Sequence, residues 1–344
     1  MPKLLVIRFS AFGDVAMTVP VMDSLAKQYP DLQIVFLSRE NFAPLFQQMP
    51  PNVEFRGVDL ADYKGIRGLN RLYKELSQES FDFLADFHDV LRTKFLRRRL
   101  KRKGLLVSVI NKGRKEKKEL TQRKNKKLRP LPSTFNRYIT VLENLSYPVN
   151  PSFKSIFENQ TPDLSQIPIQ ELQQKGENEQ WIGFAPFAKH KGKTYPPDLM
   201  FQVIDLVEKE NRKLILFGGG KEEIALFNEW KEKKPHLIRA AGALNLTQEF
   251  ILMSQLNAMV SMDSANMHLA SLVNTPVISI WGATHPYSGF MGWGQKESNA
   301  VQLNLECRPC SVFGNKPCYR KDYACLNHIT PQTIAKKIEE VMMM

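Results

Sequence analysis

The stretch Met259–Pro286, "MVSMDSANMHLASLVNTPVISIWGATHP", sets an aspartate, a serine and a histidine where one helical turn can present them together. An apolar run ends at Asp263, and a helical pattern opens at once with Ser264. The backbone N–H groups of Ala265 and Asn266, with the positive end of the helix, suit a phosphate oxygen. Asp263 can accept hydrogen bonds from sugar hydroxyls. His268, one turn on, shares a helix face with Ser264 and can reach the same ligand. A plain Asp or Ser N-cap followed by a packed histidine accounts for the same residues without any ligand.

Three further stretches carry chemistry of the same kind. "GFAPFAKHKGKTYPPD" (Gly183–Asp198) ends a strand in a loop with Lys189, His190, Lys191 and Lys193, just before a Pro-initiated helix. A lysine there can neutralise a departing diphosphate, whose charge grows in the transition state; idle loop lysines are also common. "LILFGGGKEEI" places three glycines after a strand and Glu222 at the following helix start, which can hold ribose hydroxyls. The G-x-G-x-x-G spacing is absent, and a Glu at a helix N-terminus is favoured on electrostatic grounds alone. Near the start, "RFSAFGDVAMTVP" (Arg8–Pro20) turns from strand to helix through Gly13-Asp14 rather than through a phosphate-binding glycine series.

Such residues need elements that bring them to one edge. Strands are predicted at Leu4–Ile7, Ile34–Leu37, Val53–Val58, Phe81–Phe87 and Leu105–Ile110, with helices at Asp14–Gln28, Phe42–Met49, Gly68–Ser77, Val90–Arg102 and Ser133–Leu145. A second series follows, with strands at Trp181–Phe187, Leu214–Phe217, Leu237–Ala241, Met259–Met262 and Val277–Trp281. Its helices are predicted at Pro197–Asn211, Lys221–Lys231, Thr247–Gln255 and Ser264–Val273, and a last one opens after Thr330. Strands alternating with helices of this length imply βαβ units and parallel sheets. The chain therefore divides into a doubly wound α/β domain over 1–150, a Pro- and Gln-rich linker over 151–180, and a second such domain over 181–344. In these sheets ligands bind beyond the carboxyl ends of the strands, where every candidate above is placed.

The 344 residues suffice for two domains, and the formal net charge is +13. From Arg92 to Arg129 there are 18 Lys and Arg against two acids, which leaves 30 basic and 33 acidic residues elsewhere. The basicity thus belongs to one segment: a solvated loop, or a contact with nucleic acid, an anionic membrane or a phosphorylated substrate. Aromatic side chains are missing from it beyond Phe95, so the stacking that single-stranded nucleic acid needs is not provided. The apolar start, "LLVI", is too short for a signal peptide, and no run is long enough to span a bilayer; a cytosolic protein is expected. Cys307, Cys310, Cys318 and Cys325 open with a C-x2-C spacing, but the later gaps match no common zinc ribbon. Zinc, buried thiols and a loop-stapling pair all remain open.

Together these stretches resemble a known family. "DSANMHLA" followed by "TPVISIWGATHP" is similar to the D-[TS]-G-x-M-H-L-A…T-P-V-x-x-x-[FW]-G-x-T-x-P signature of the ADP-heptose:lipopolysaccharide heptosyltransferases, glycosyltransferase family 9. The opening "KLLVIRFSAFGDVAMTVPVMDSL" resembles that family's start. "DFHDVLRTKFL" resembles its D-x-H-g-x-x-[RK]-s, and the C-x-x-C…C…C tail recurs there. Ala265 stands where the family usually has glycine, and Phe187 and Ala188 where hydroxyl residues often precede the lysine.

The resemblance implies a GT-B architecture, two Rossmann-like domains facing a central cleft, with the acceptor in the first and the nucleotide sugar in the second. It implies inverting, metal-independent transfer of heptose from ADP-heptose to the lipopolysaccharide inner core, with no cofactor. No Asp-x-Asp pair is present to hold a catalytic cation. Asp14 matches the general base, which takes the proton of the acceptor hydroxyl as it attacks the anomeric carbon. Gly13 beside it would clear space for the sugar, and His88 and Arg92 fall in the acceptor-side motif. Lys193 matches the phosphate-contacting lysine, Glu222 the ribose-binding acid, and Asp263, Ser264, Ala265 and His268 the surroundings of heptose and diphosphate. The acceptor implied is of the Kdo–lipid A type, at the cytoplasmic face of the inner membrane. The segment 92–129 would rest on that anionic surface, with Phe95, Leu96 and Leu100 in the interface. Another nucleotide sugar, a nucleotide-sugar epimerase and a nucleic-acid-binding protein are the competing readings.

Overall fold

The tetrapeptide Leu4–Ile7 has no exposed atoms, as expected of a parallel strand covered by helices on both faces. In the computed structural model, which describes residues 1–158 and 160–343, it forms the centre of a five-stranded parallel sheet. The strands are β1 (Lys3–Ile7), β2 (Gln33–Arg39), β3 (Val53–Val58), β4 (Phe83–Asp86) and β5 (Leu106–Val109), in the order β3-β2-β1-β4-β5. The connecting helices are α1 (Phe12–Ala16), α2 (Val19–Gln28), α3 (Gly65–Leu76) and α4 (Leu91–Lys101); α5 (Arg114–Thr121) and α6 (Thr134–Glu143) follow the last strand. The order reverses direction between β1 and β4, which pair side by side with Ile7 opposite Asp86. The chain segments that leave these two strands therefore emerge together at the edge where doubly wound sheets bind ligands.

A second parallel sheet holds β6 (Gln180–Ala185), β7 (Arg212–Leu216), β8 (Ile238–Arg239), β9 (Ala258–Met262), β10 (Val277–Trp281) and β11 (Ala300–Gln302), ordered β11-β10-β9-β6-β7-β8. Its helices are α7 (Pro197–Val207), α8 (Lys221–Lys233), α9 (Leu246–Ser254), α10 (Ala265–Leu272), α11 (Ala324–Asn327) and α12 (Pro331–Met342). Here the reversal lies between β6 and β9, paired with Ala185 opposite Ser261. The sheet buries a core that includes Ile182, Phe184, Val260, Ile280, Phe227 and Ile338. Both sheets are doubly wound and parallel, the α/β class that the strand–helix alternation implied. Among the described residues no helix is long and apolar enough to cross a membrane.

Several expectations change. The predicted helix Asp14–Gln28 is two helices, because Pro20 lacks an N–H and its ring would meet the carbonyl of Ala16 in a continuous one. Phe42–Met49 is a 3₁₀ turn, Glu40–Phe46, with Pro44 inside it. The stretch 151–180 is not a bare linker: the chain passes between units at Ile156–Phe157, and Ile167 and Leu172 are fully buried.

The basic tract departs furthest. One compact unit comprises Met1–Gly113 and Pro132–Ile156, and the other takes Arg114–Leu131 together with the chain from Phe157 on. The tract assigned as a whole to the N-terminal domain is thus divided at Gly113. Leu96 and Leu100, expected in a membrane interface, are instead buried in the core with Leu72 and Leu76 of α3. Phe95 is half-covered, with the Arg99 guanidinium 5.1 Å from its ring centre. Burying a leucine against α3 releases about 2 kcal/mol, which a solvated loop would forfeit.

Helix α12 is locked to the sheet by a bidentate pair: Arg212 Nη1 and Nη2 meet the two oxygens of Glu339 at 2.6 and 2.8 Å. These bonds, reinforced by Lys209, hold the Glu339 carboxyl at about 2. The folded state therefore gains stability above the ordinary carboxylate pKa of about 4.3 and loses it as pH falls toward 2. Glu339→Gln should lower the melting temperature at pH 7, and the gap from the parent should close between pH 4.5 and 2 in calorimetric scans. A gap independent of pH would contradict the pairing.

Candidate functional site

In the first unit, the turn after β1 is organised around Arg8. Its side chain is buried, Nη2 lies 2.9 Å from Asp14 Oδ2, and Nη1 donates to the Phe87 carbonyl at the end of β4. The guanidinium carbon stands 5.6 Å from the Tyr138 ring centre, and that ring stacks on Phe87. The Tyr138 hydroxyl donates to the Asp14 carbonyl at 3.1 Å. Asp14 is the third residue of α1, and its Oδ2 also accepts from the Ala11 N–H at 3.2 Å. One carboxylate oxygen is thus fixed by a permanent cation and a helix-start N–H, and the side chain stays 28% exposed. The arrangement fixes the orientation of the Asp14 carboxylate. Gly13 precedes it in α1, half-buried.

Across the strand pair, the Asp86 carboxylate is fully buried. Oδ1 accepts from the N–H groups of His88 (3.0 Å) and Asp89 (2.8 Å), and Oδ2 pairs with Arg97 at 2.7 Å. Arg97, in the basic tract, therefore holds the loop that presents His88. The His88 Nδ1 accepts from the Phe9 N–H, and Nε2 lies 3.2 Å from Ser10 Oγ. Burial, seconded by Arg8, Lys112 and Arg92, lowers its pKa to about 3. Arg92 is half-buried in the first turn of α4. The structure thus gathers Asp14, His88 and Arg92 at one sheet edge. Arg8 and Ser10 join them, and only their place in the opening motif signalled it.

In the second unit, Lys193 Nζ and Asp263 Oδ2 form an ion pair of 2.9 Å across the reversal point. Lys193 ends a short 3₁₀ turn, Lys191–Lys193, which is tied to the end of β10 by the Ala283 N–H donating to the Gly192 carbonyl at 2.8 Å. Its aliphatic stem lies where a Cβ on Gly314 (φ +73°) would stand, 2.4 Å from Lys193 Cγ, so Gly314 has two reasons to be glycine. Ser264 is the N-cap of α10, but its side chain makes no capping bond; Oγ meets Ser261 Oγ at 3.3 Å instead. The first-turn N–H groups from Ala265 onward lack intrahelical partners by construction. His268 is buried one turn further on. Plain capping by Ser264 therefore does not explain this stretch. Glu222 stands exposed at the start of α8. Its neighbour Glu223 turns inward, accepting from the Gly219 N–H at 2.8 Å, and burial raises its pKa. The GGGKEE spacing alone could not decide between these two acids.

The cysteine loop adds a strut that sequence reasoning missed. Arg308, inside the C-x2-C, donates to the carbonyls of Gly282, Leu303 and Thr284, bracing the loop after β10. Burial lowers its pKa to about 10. The four cysteines are unbridged and line one small void with Tyr319 and Asp322. Among the described residues no three His, Cys, Asp or Glu side chains are gathered as a metal site. Arg114–Leu131 is seated on this loop: Lys126 Nζ donates to the carbonyls of Glu306 (2.9 Å) and Arg308 (2.8 Å). Arg123 lies over Tyr319, Lys117 over Phe290, and the Leu131 N–H meets the Tyr287 carbonyl.

Thiol reactivity checks this arrangement. Burial pushes Cys325 up to about 11, so its thiolate fraction at pH 7.5 is on the order of 10⁻³ to 10⁻⁴. Alkylation with mass readout should label Cys325 last of the four, and equal labelling rates would contradict the packing.

Comparison with known proteins places this geometry. The family model "Glycosyltransferase family 9 (heptosyltransferase)" matches residues 69–319. Lipopolysaccharide heptosyltransferase 3 of Escherichia coli is 25% identical over 299 residues, covering 85% of each chain. Among solved structures, a glycosyl transferase family 9 protein of Veillonella parvula superposes with TM-score 0.73 at 18% identity, covering 99% of this chain and 97% of that one. The E. coli "ADP-heptose lps heptosyltransferase II" gives 0.70 at 19% identity over 99% and 98%. At such identities the structures show the shared fold, and the family match carries the rest: this chain belongs to glycosyltransferase family 9, the heptosyltransferases.

Proposed function

We propose that this chain transfers a heptose from ADP-heptose to the inner core of lipopolysaccharide, with inversion and without a divalent cation. Membership of the family and the names of its relatives support the substrate class. The observation that carries the donor half is the Lys193–Asp263 pair at 2.9 Å in front of the α10 N-terminus. An ammonium and a row of helix-start N–H groups form a cradle for a diphosphate. A bound diphosphate competes for Lys193, which releases Asp263 to accept from sugar hydroxyls.

The chemistry is a single displacement. Asp14 removes the proton from an acceptor hydroxyl, whose oxygen forms a bond to the anomeric carbon as the bond to the diphosphate oxygen breaks. Lys193 and the α10 N–H groups take up the charge that collects on the departing ADP, and Asp14 passes its proton to solvent. The ion pair with Arg8 fixes the orientation of this base toward the acceptor it would deprotonate. His268 and Ser264, one turn apart at the start of α10, are the candidates for the sugar, and Glu222 or its inward neighbour Glu223 is available to the ribose. The exposed cations of α4 and of Arg114–Leu131, at about 1 kcal/mol each near an anionic leaflet, favour work at the cytoplasmic face of the inner membrane.

Two substitutions separate the roles. Asp14→Asn should lower turnover by roughly 10²- to 10⁴-fold while leaving the donor dissociation constant unchanged; undiminished turnover removes the base assignment. Lys193→Ala should weaken ADP binding in calorimetry, and unchanged binding counts against the phosphate role. Thermal shifts measured with ADP, UDP and GDP sugars test the donor, and only the ADP series should stabilise the protein.

A further inference from the structure

Arg308 is a buried cation whose donors all meet neutral oxygens. Nε donates to the Gly282 carbonyl at 2.5 Å and Nη2 to the Thr284 carbonyl at 2.8 Å, on either side of Ala283 in the loop after β10. Nη1 donates to the Leu303 carbonyl, and Nη2 also meets Gln302 Oε1 at 3.0 Å, at the end of β11. Only 4% of the residue is exposed, and a cation held so far from water is destabilising unless its bonds are well made. A planar guanidinium is the one side chain whose rigid fork serves four such acceptors at once.

What these bonds fix is the peptide unit of Ala283. Its carbonyl accepts from the N–H groups of Cys310 (3.0 Å) and Ser311 (3.2 Å), and its N–H donates to the Gly192 carbonyl at 2.8 Å. Gly192 immediately precedes Lys193. A Cβ on Gly192 would stand 2.9 Å from the Gly314 carbonyl oxygen and 3.1 Å from Ala283 Cβ, so the turn has no slack against the cysteine loop. Contacts therefore run without a break from Arg308 through Ala283 and Gly192 to Lys193, whose Nζ meets Asp263 at 2.9 Å. An ammonium on a flexible four-carbon stem is aimed at one point only if its backbone is held still.

We propose that Arg308 is a positioning residue for diphosphate binding, which aims Lys193 through the hydrogen bond between Ala283 and Gly192. The assignment deepens the heptosyltransferase reading and rests on its donor half. Calorimetric titration of the full chain with ADP and, in parallel, with adenosine tests it. Arg308→Lys keeps the charge but cannot span the four acceptors. It should weaken ADP binding on the order of 10-fold, the low end of the range for a hydrogen bond to a charged group. Adenosine, which offers Lys193 no phosphate, should change by less than about 2-fold, the scatter between independent sites.

In a Lys193→Ala background, Arg308→Lys should weaken ADP by less than about 2-fold, because the group it aims is gone. A strut that merely holds the fold would cost the same factor in both backgrounds. Gln302→Leu removes one acceptor from the guanidinium without touching the loop after β10, and should weaken ADP in the same sense by about 3-fold. Melting curves establish that each variant folds, and Gln302→Leu carries both comparisons if Arg308→Lys does not. Unchanged ADP affinity, an equal loss with adenosine, or a full loss that persists beside Lys193→Ala overturns the assignment alone. If the unsubstituted chain binds no ADP, the donor reading falls and this assignment with it.

Discussion

A buried arginine sets the terms for the first unit. Arg8 leaves the central strand with only 7% of its side chain exposed, and an unpaired cation at that depth costs several kcal/mol. The surrounding chain is arranged to neutralise it: the Asp14 carboxylate, the Phe87 carbonyl and the face of Tyr138 close around it. This answers why the turn after β1 carries Gly-Asp instead of a glycine series. The turn must bring a carboxylate back onto the arginine that has just emerged from the sheet. Asp14 is therefore counterion to Arg8 and, in the proposed reaction, base at once.

The second unit solves the same problem with the signs exchanged. There the buried group is an acid, Asp263, 3% exposed at the end of β9, and Lys193 is brought to it from the neighbouring β6 loop. Both pairs sit where the strand order of their sheet reverses, because only there do two adjacent strands send their following loops apart and leave room between them. Neither pair is a surface salt bridge of small worth: each has one partner almost wholly buried, and loss of the other would leave a charge without water.

Much of this was legible in the sequence. Apolar runs such as Leu4–Ile7 and Val277–Trp281 are too short for a helix and rich in β-branched residues, so buried parallel strands and the residues at their ends follow from length and pattern. Asp14, Lys193, Asp263 and His268 stood out in their motifs, and the structure sets Asp14 against Arg8 and Lys193 against Asp263. What failed to show was whatever depends on contacts distant in sequence. Arg8 reads as one more cation until Asp14 folds back on it. Arg308 reads as part of a possible metal motif until its donors meet three carbonyls. Glu222 and Glu223 are equivalent on paper, and only the turn at Gly219 separates them. The tract from Arg92 to Arg129 misled for a related reason: its charge density conceals the spacing of Leu96, Leu100 and Leu120, each buried. Charge reports what faces water, and here three leucines faced the other way.

The division of that tract at Gly113 also governs how the molecule can be taken apart. The polypeptide passes from one unit to the other at residue 113, returns at 131 and passes again at 156. Neither half is a single continuous length of chain. Cutting at one peptide bond near residue 156 would strand Arg114–Leu131 with the wrong half, stripping Phe290 and Tyr319 of their cationic cover and the Glu306 and Arg308 carbonyls of Lys126. During synthesis, this stretch leaves the ribosome before the loop that receives it has been made. The N-terminal portion must wait with 18 residues unhoused until the last third of the chain arrives.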